Sequence, residues 1–180
     1  LRTPVILLTS KEMIMTNKNM DISKLSEVPR AERLLYHGVD EYQPYAVNGN
    51  MVPDFLPVGN DRHQVRSNAS THDTTGATQK NSPEALENTA RLKDKIEQRL
   101  DEYTFYEHDE DKAADTVILT YGISAEAARD AVRVLRTQGE KISLLVMKTM
   151  LPVPSDIFEI LDRYPRILIV EENLPGLLRE

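Results

Sequence analysis

Thr116-Val117-Ile118-Leu119-Thr120-Tyr121-Gly122 is the stretch that decides the fold. A run of β-branched and aliphatic residues closed by glycine reads as a strand buried on both faces, as parallel sheets require. Gly122 turns the chain, Ser124 is the expected N-cap, and residues 125–138 bring Ala128, Ala131, Val132 and Leu135 to one helical face. Gly139 supplies the left-handed stop. Residues 142–147 repeat the apolar strand. Residues 155–164 form a second helix with Ile157, Phe158, Ile160 and Leu161 inward, and 166–171 a third strand. Strand–helix–strand–helix–strand with such strands implies parallel pairing through right-handed crossovers. The expected fold class is α/β, an open parallel sheet.

Upstream of this block the pattern weakens. Residues 101–115 hold seven acids against one base, Lys112, which is −6 of the chain's net −7. That run reads as a solvated link. Ser82-Pro83-Glu84 is a helix start, with a hydroxyl cap and proline in the first turn. Leu86, Leu92, Ile96, Leu100 and Tyr103 continue it as the apolar face of a helix of about twenty residues, leaving Arg91, Lys95, Glu97 and Gln98 wet. From 22 to 81 the periodicity fails. Pro29, Pro44, Pro53 and Pro57 interrupt it, and Asn48-Gly49 and Gly59-Asn60-Asp61 signal turns. So long an aperiodic stretch suits an ordered connection draped over a neighbour, anchored by Tyr36, Tyr42, Tyr45 and Phe55. Pro4-Val5-Ile6-Leu7-Leu8-Thr9 reads as a buried parallel strand. Residues 11–20 read as a short helix or loop whose Met13, Met15 and Met20 fill core gaps. Leu1 opens directly on that strand, and residues 173–180 read as the start of a helix, so the expectation is a piece of a longer polypeptide.

Composition removes several functions. The chain has 180 residues and no cysteine, so no disulfide, thiolate nucleophile, zinc knuckle or iron–sulfur cluster is held by cysteines of its own. Its seven glycines stand at least ten apart, which excludes the common glycine-rich phosphate loops. The net charge opposes a nucleic-acid platform. No apolar run reaches spanning length, and a soluble chain with no membrane partner is expected.

Candidate residues fall in two places. Ser70-Thr71-His72-Asp73-Thr74-Thr75-Gly76 gathers hydroxyls, an imidazole and a carboxylate. A nucleophile–base–acid set has that composition, but its members seldom lie adjacent in sequence. The favoured reading is a turn in which Asp73 closes an Asx-type loop to Gly76, with a partner contact as the alternative. Glu171-Glu172-Asn173 lies at the carboxyl end of the third strand, where open sheets bind ligands. Adjacent strand residues point to opposite faces, so at most one of the two carboxylates can serve a site, and a cap or interface role is favoured. His37, His63, His72 and His108 have no metal-ligand spacing, and His108 reads as a solvated residue of the acidic run. Bottom-up, the chain is an α/β piece with no self-contained active site.

The order of segments adds a resemblance. Residues 3–9, Tyr42-Gln43-Pro44-Tyr45, Val52-Pro53-Asp54-Phe55-Leu56-Pro57-Val58-Gly59, the Thr71–Gly76 loop, Arg91-Leu92-Lys93-Asp94-Lys95-Ile96, 114–122 and Ile169-Val170-Glu171-Glu172-Asn173-Leu174 together resemble the α subunit of 2-oxoacid:ferredoxin oxidoreductases. These are thiamine-diphosphate enzymes acting on pyruvate, 2-oxoglutarate or branched-chain 2-oxoacids. The resemblance implies that residues 1–21 end a pyrimidine-binding-type domain and 22–81 are an extended connection. It implies that 82–113 are a helix and acidic linker, and that 114–180 are a transketolase C-terminal-like domain. It implies a cytoplasmic enzyme that decarboxylates a 2-oxoacid to acyl-CoA and passes electrons to ferredoxin. Thiamine diphosphate, Mg²⁺ and iron–sulfur clusters would sit elsewhere in the complex. Partners would be the β subunit and γ or δ subunits, with ferredoxin reached through those. No catalytic, cofactor-binding or metal residue carries over. Thr71, His72, Asp73, Glu172 and Asn173 are interface candidates, and the fragment by itself is expected to be inactive. Two departures stand out. Met150-Leu151-Pro152-Val153-Pro154 replaces the family's aromatic-Pro-aromatic-Pro turn, and Leu174-Pro175-Gly176-Leu177 replaces Gly-Gln. Two alternatives remain: a non-catalytic α/β interaction domain, or the C-terminal domain of a transketolase- or pyruvate-dehydrogenase-like enzyme, against which the Thr71–Gly76 loop argues.

Overall fold

A computed structural model describes residues 1–17, 19–27 and 30–179; Pro29, one of the expected chain breaks, and Glu180 lie outside it. The chain divides into two compact units, Leu1–Pro4 with Asp21–Arg99 and Val5–Met20 with Leu100–Glu180.

The second unit is built on the stretch quoted first. Strand β2 (Thr116–Tyr121) leads through α3 (Ser124–Thr137) to β3 (Ser143–Met147), then through α4 (Ser155–Leu161) to β4 (Arg166–Val170). Strand β2 lies between β3 and β4 and is parallel to both, with Leu119 opposite Leu145 and Ile169. The pleat sorts the side chains. Val117 and Leu119 join Leu145, Met147, Ile157, Ile160 and Tyr164 on the α4 side. Ile118 joins Ala125, Ala128, Val132, Leu144 and Val146 on the α3 side. Both cores hold most of the residues that the periodicity selected, with two exceptions. Ala131, expected on the inner face of α3, is exposed, since Ala128 and Val132 are the residues that take that face. Phe158 turns outward, 56% exposed, because Ile157 and Ile160 already fill the inner face of a helix of only seven residues. Ser124 is the first helical residue rather than the cap; Ile123 takes the cap position, without a side-chain bond.

The sheet has a fourth strand that the acidity concealed. Strand β1 (Tyr106–Asp109) pairs antiparallel with β3, giving the order β1-β3-β2-β4. Its acids are bound rather than solvated. Arg136 of α3 grips Asp109 with Nη1 at 2.9 Å from both carboxylate oxygens and also holds the carbonyl of Ile142. Glu107 takes Arg129 of α3 and Lys148, and these cations, Lys148 first, hold its carboxyl below the usual range. His108 points to the other face, its Nε2 2.9 Å from the Tyr164 hydroxyl. An alternating Glu-His-Asp strand is thus tied to α3 on one side and to the α4 core on the other. The expectation of a solvated link with a solvated His108 fails because each side chain meets a partner supplied from outside the run.

Thr120, on the α3 side, is wholly buried, and its hydroxyl has no partner among the described residues. An unmade buried hydrogen bond forfeits free energy, so Thr120→Val is expected to raise the unfolding free energy by about 1 kcal/mol. A urea midpoint below that of the native chain would contradict this.

The expected first strand does not form. Val5 to Leu8 are 69–88% exposed and pair with no strand among the described residues. Parallel pairing needs a neighbour, and the sheet in hand is complete without this run. Helix α1 (Lys11–Met15) follows, capped by Ser10, whose Oγ accepts from the Met13 N–H. Met13, Met15 and Met20 are exposed and fill no core.

In the first unit, residues 30–82 are irregular but bonded. Leu35 and Phe55 bridge, with the Phe55 N–H 2.7 Å from the Leu34 carbonyl. Tyr42 is buried and donates to the Asp54 carbonyl, and burial pushes its phenol up from the ordinary value. The aromatic anchors are in place. Helix α2 (Pro83–Glu97) starts at the Ser82 cap as read, then turns the unexpected way. Leu86 and Leu92 are exposed, whereas Ala85, Asn88 and Lys95 are buried and Arg91 is half-buried. The neighbouring chain has few side chains to offer and many carbonyls, so the helix turns its hydrogen-bond donors toward it.

Candidate functional site

The loop from Thr71 to Gln79 is organised by one carboxylate. Asp73 Oδ1 accepts from the Thr75 N–H (2.9 Å), the Thr75 hydroxyl (2.7 Å) and the Ala77 N–H (3.0 Å), and Oδ2 accepts from the Gln79 amide. The Thr75 hydroxyl first, then Gln79 and the two backbone amides, lower the Asp73 carboxyl from 3.8 to about 2. The Gly76 N–H returns to the Asp73 carbonyl, closing the expected turn. Glycine is required there, for φ is +83° and a Cβ would stand 2.8 Å from the Arg66 carbonyl.

His72 stacks on Tyr45 with ring centroids 3.7 Å apart. Arg91 donates to Asn88 Oδ1, which orients the Asn88 amide so that Nδ2 donates to His72 Nδ1 at 2.9 Å. His72 Nδ1 thus lies between the Asn88 amide and the Asp73 carbonyl, 3.0 Å away. The nearby hydroxyls are committed elsewhere, Thr75 to Asp73 and Thr74 to Glu84. The nucleophile–base–acid composition is not assembled as such a set. The loop is a rigid shape pinned to α2 by Glu84 and Asn88.

Just beyond the carboxyl end of β4, which stops at Val170, the two glutamates part. Glu171 accepts from the Leu178 N–H at 3.0 Å, and Asn173 Oδ1 caps the Gly176 and Leu177 amides at 2.9 Å each. Asn173 Nδ2 reaches the Tyr121 hydroxyl at 3.0 Å and also Glu171. The expected terminal helix is a pair of turns folded back on these groups. Glu172 is exposed and has no described hydrogen bond. Among the described residues no three His, Asp or Glu side chains are placed to hold a metal ion. No described helix is long and apolar enough to cross a membrane.

The sequence reading passed over Asn88 and put Arg91 and Lys95 on the wet face of the helix, whereas Lys95 is buried and Arg91 half-buried. Their spacing of three and four is the signal that could have marked them as one helical face.

The sequence model of the family described as pyruvate:ferredoxin oxidoreductase core domain II matches residues 114–180, which hold β2 to β4. The chain is 25% identical over 143 residues to the 2-oxoglutarate synthase subunit KorA of Methanothermobacter thermautotrophicus, covering 78% of this chain and 38% of that one. Identity to the KorA subunit of Methanocaldococcus jannaschii is 29% over 139 residues, 77% of this chain and 37% of the relative. A shorter match, 41% over 68 residues, joins it to the ketoisovalerate oxidoreductase subunit VorB of M. thermautotrophicus, 37% of this chain and 19% of the relative. The chain thus spans less than two fifths of the length of the curated relatives it matches. In fold it is similar to a 2-oxoglutarate:ferredoxin oxidoreductase from Magnetococcus marinus solved with 2-oxoglutarate, coenzyme A and succinyl-CoA. The TM-score is 0.73 at 22% identity, over 84% of this chain and 28% of that one. The resemblance met in the sequence recurs in these matches: residues 114–180 match the core domain II model, and over about three quarters of its length the chain is similar to 2-oxoglutarate synthase subunits, which supports a 2-oxoacid:ferredoxin oxidoreductase fragment.

Proposed function

We propose that this chain is part of the α subunit of a 2-oxoacid:ferredoxin oxidoreductase, to which it contributes scaffold and subunit interface. The observation that carries the reading is the core domain II match on 114–180, which holds three of the four strands of the sheet. The complex oxidatively decarboxylates a 2-oxoacid in the cytoplasm: carbon dioxide leaves, the acyl group joins coenzyme A, and an electron pair passes to ferredoxin. Thiamine diphosphate supplies the carbanion chemistry, with Mg²⁺ and iron–sulfur clusters, in other parts of the enzyme. The chain's own residues build shape. Residues 1–21 end the preceding pyrimidine-binding-type domain, a reading favoured by the exposed aliphatic run Val5-Ile6-Leu7-Leu8, which is suited to burial in a sheet. Residues 22–81 connect it onward, and 114–180 are the transketolase C-terminal-like domain. The β subunit is the principal partner. Thr71, His72 and Asp73 present a fixed loop to it, and Glu172 and Asn173 a sheet end.

The test is the full-length protein with its β subunit, given pyruvate, 2-oxoglutarate or a branched-chain 2-oxoacid, coenzyme A and an acceptor dye. Coenzyme A-dependent dye reduction with one of these acids is expected; none with any of them rejects the assignment. Glu172→Ala should weaken subunit association while leaving the melting of the unassembled subunit unchanged. The opposite pattern would make the residue structural only.

A further inference from the structure

Arg2, Arg33, Arg91 and Lys95 of the first unit meet no carboxylate among the described residues. Lys95 is 6% exposed, and its Nζ donates to the Leu1 carbonyl at 3.1 Å and the Arg2 carbonyl at 3.4 Å. Arg91 gives Nη1 to the Met51 carbonyl at 2.9 Å. Arg2 bonds the Pro53 carbonyl and lies 5.3 Å from the Phe55 ring centroid, with Arg33 on the same ring at 4.6 Å. Among the described residues none of the four forms an ion pair; Lys24 and Lys93 of the same unit pair with Asp21 and Glu97, while Arg30, Arg62, Arg66 and Lys80 do not pair. Asp54 belongs to this neighbourhood, since it and Arg2 act on Tyr42 with opposite sign, yet it pairs with none of them. The charges oppose one another: burial first, and then the neighbouring cations, depress the proton affinity of Arg91 and Lys95. Arg2 and Arg33 are exposed, but Arg91 is half-buried and Lys95 buried, and the carbonyl dipoles that solvate these two do not neutralise them; buried charge without a counter-charge is costly.

Beside the cluster is an open depression of about 330 Å³ lined by Gly49, Asn50, Met51, Lys95, Gln98 and Arg99. Small-ligand sites begin near that size. Its rim is held in place: Met51 has φ +58°, a left-handed conformation unusual for a side chain with a Cβ, and its carbonyl is the one Arg91 grips. A Cβ on Gly49 would meet nothing within 4 Å, so the space above it is open.

We propose that this depression is a binding site for a phosphate group, with Lys95 as its principal cation and Arg91 and Arg2 supplying the surrounding positive field. A dianion suits several unpaired cations better than a single carboxylate does. The concavity favours a small ligand over an acidic protein segment. Free phosphate and the phosphate of a nucleotide share this chemistry.

The experiment is calorimetric titration of the full-length protein with inorganic phosphate and with ADP, against chloride at equal ionic strength. Saturable binding of inorganic phosphate at a Kd of about 1 mM or tighter is expected. A tighter ADP constant identifies a nucleotide as the source, and an equal one identifies free phosphate. Lys95→Gln should weaken binding at least about tenfold. Because Lys95 also ties the chain at residues 1–2, Gly49→Asp is the second variant. It places a carboxylate in the open space, and should abolish phosphate binding while leaving the melting midpoint unchanged or higher. No binding by the native protein, or undiminished binding by Gly49→Asp, overturns the proposal. Salt-sensitive subunit association lost in Gly49→Asp, without phosphate binding, would assign the cations to a protein carboxylate and also overturn it. The result is independent of dye reduction, so either reading can fail alone.

Discussion

Leu145→Ala is expected to remove about 3–4 kcal/mol from the unfolding free energy of the sheet unit, within the range for large-to-small changes at sites that cannot collapse. Leu145 is 0% exposed and lies between Leu119 of β2 and His108 of β1 in the ladder. Its side chain meets Val117, Met147, Ile157 and Ile160 on the α4 side. Backbone hydrogen bonds on both edges of β3 hold the strand in place, so the void left by three carbons and a branch cannot be filled by a shift of the chain. Urea unfolding should show a lower midpoint at unchanged slope. A loss below about 1 kcal/mol would mean that α4 follows the smaller side chain inward. Leu151→Ala is the matched control: Leu151 is 84% exposed, and the change should stay within about 0.5 kcal/mol.

Asp73→Ala is expected to free the Thr71–Gln79 loop. Four donors converge on this carboxylate, two of them the Thr75 and Ala77 amides. Exchange protection of those amides should fall at least about tenfold in the variant. The pH dependence has a fixed sign. The folded carboxyl lies near 2, below its ordinary 3.8, so its contribution is present in full above about 4 and is lost as pH falls toward 2. Protection at Thr75 and Ala77, corrected for intrinsic exchange, should decline through that window in the native chain and stay flat in Asp73→Ala. A native profile that is flat to pH 2 would show that the backbone bonds suffice. Because the carboxylate is committed within its own loop, any effect of Asp73→Ala on subunit association would come through the loop's shape.

The parts of the fold legible in the sequence are those whose partners lie close along the chain. Residues 116–170 carry their own sheet, helices and crossovers, and apolar spacing places nearly every element within a residue or two. Asp73 and Gly76 fall within one turn, and side-chain chemistry alone anticipates their geometry. Strand β1 was hidden because a strand is declared by its partners as much as by its residues. Glu107 and Asp109 look like solvated acids until Arg129 and Arg136, some twenty-five residues on, come alongside. Helix α2 misled for the complementary reason. Its leucines mark an apolar stripe, but which stripe turns inward depends on what it faces, and here that is a loop rich in carbonyls. Pro4 to Thr9 has the composition of an interior strand without a sheet to enter. The sites were legible to the same degree: the Asp73 turn could be read, but the convergence of Arg2, Arg33 and Arg91 on Met51 to Phe55, with Lys95 on the carbonyls of Leu1 and Arg2, could not.

The sheet order β1-β3-β2-β4 also sets a timetable. On a ribosome, β1 emerges first among the strands yet has nothing to pair with until β3, which begins thirty-four residues after β1 ends, has been made. Strand β2 must wait only for α3. The unit beginning with β2 and ending with β3 therefore nucleates, β1 returns to close one edge, and β4 arrives last on the other. During its wait β1 is exposed, and Glu107, Asp109 and the acids around it keep a nascent edge strand from adhering to its neighbours. The charge that disguised the strand in the sequence is what lets it wait.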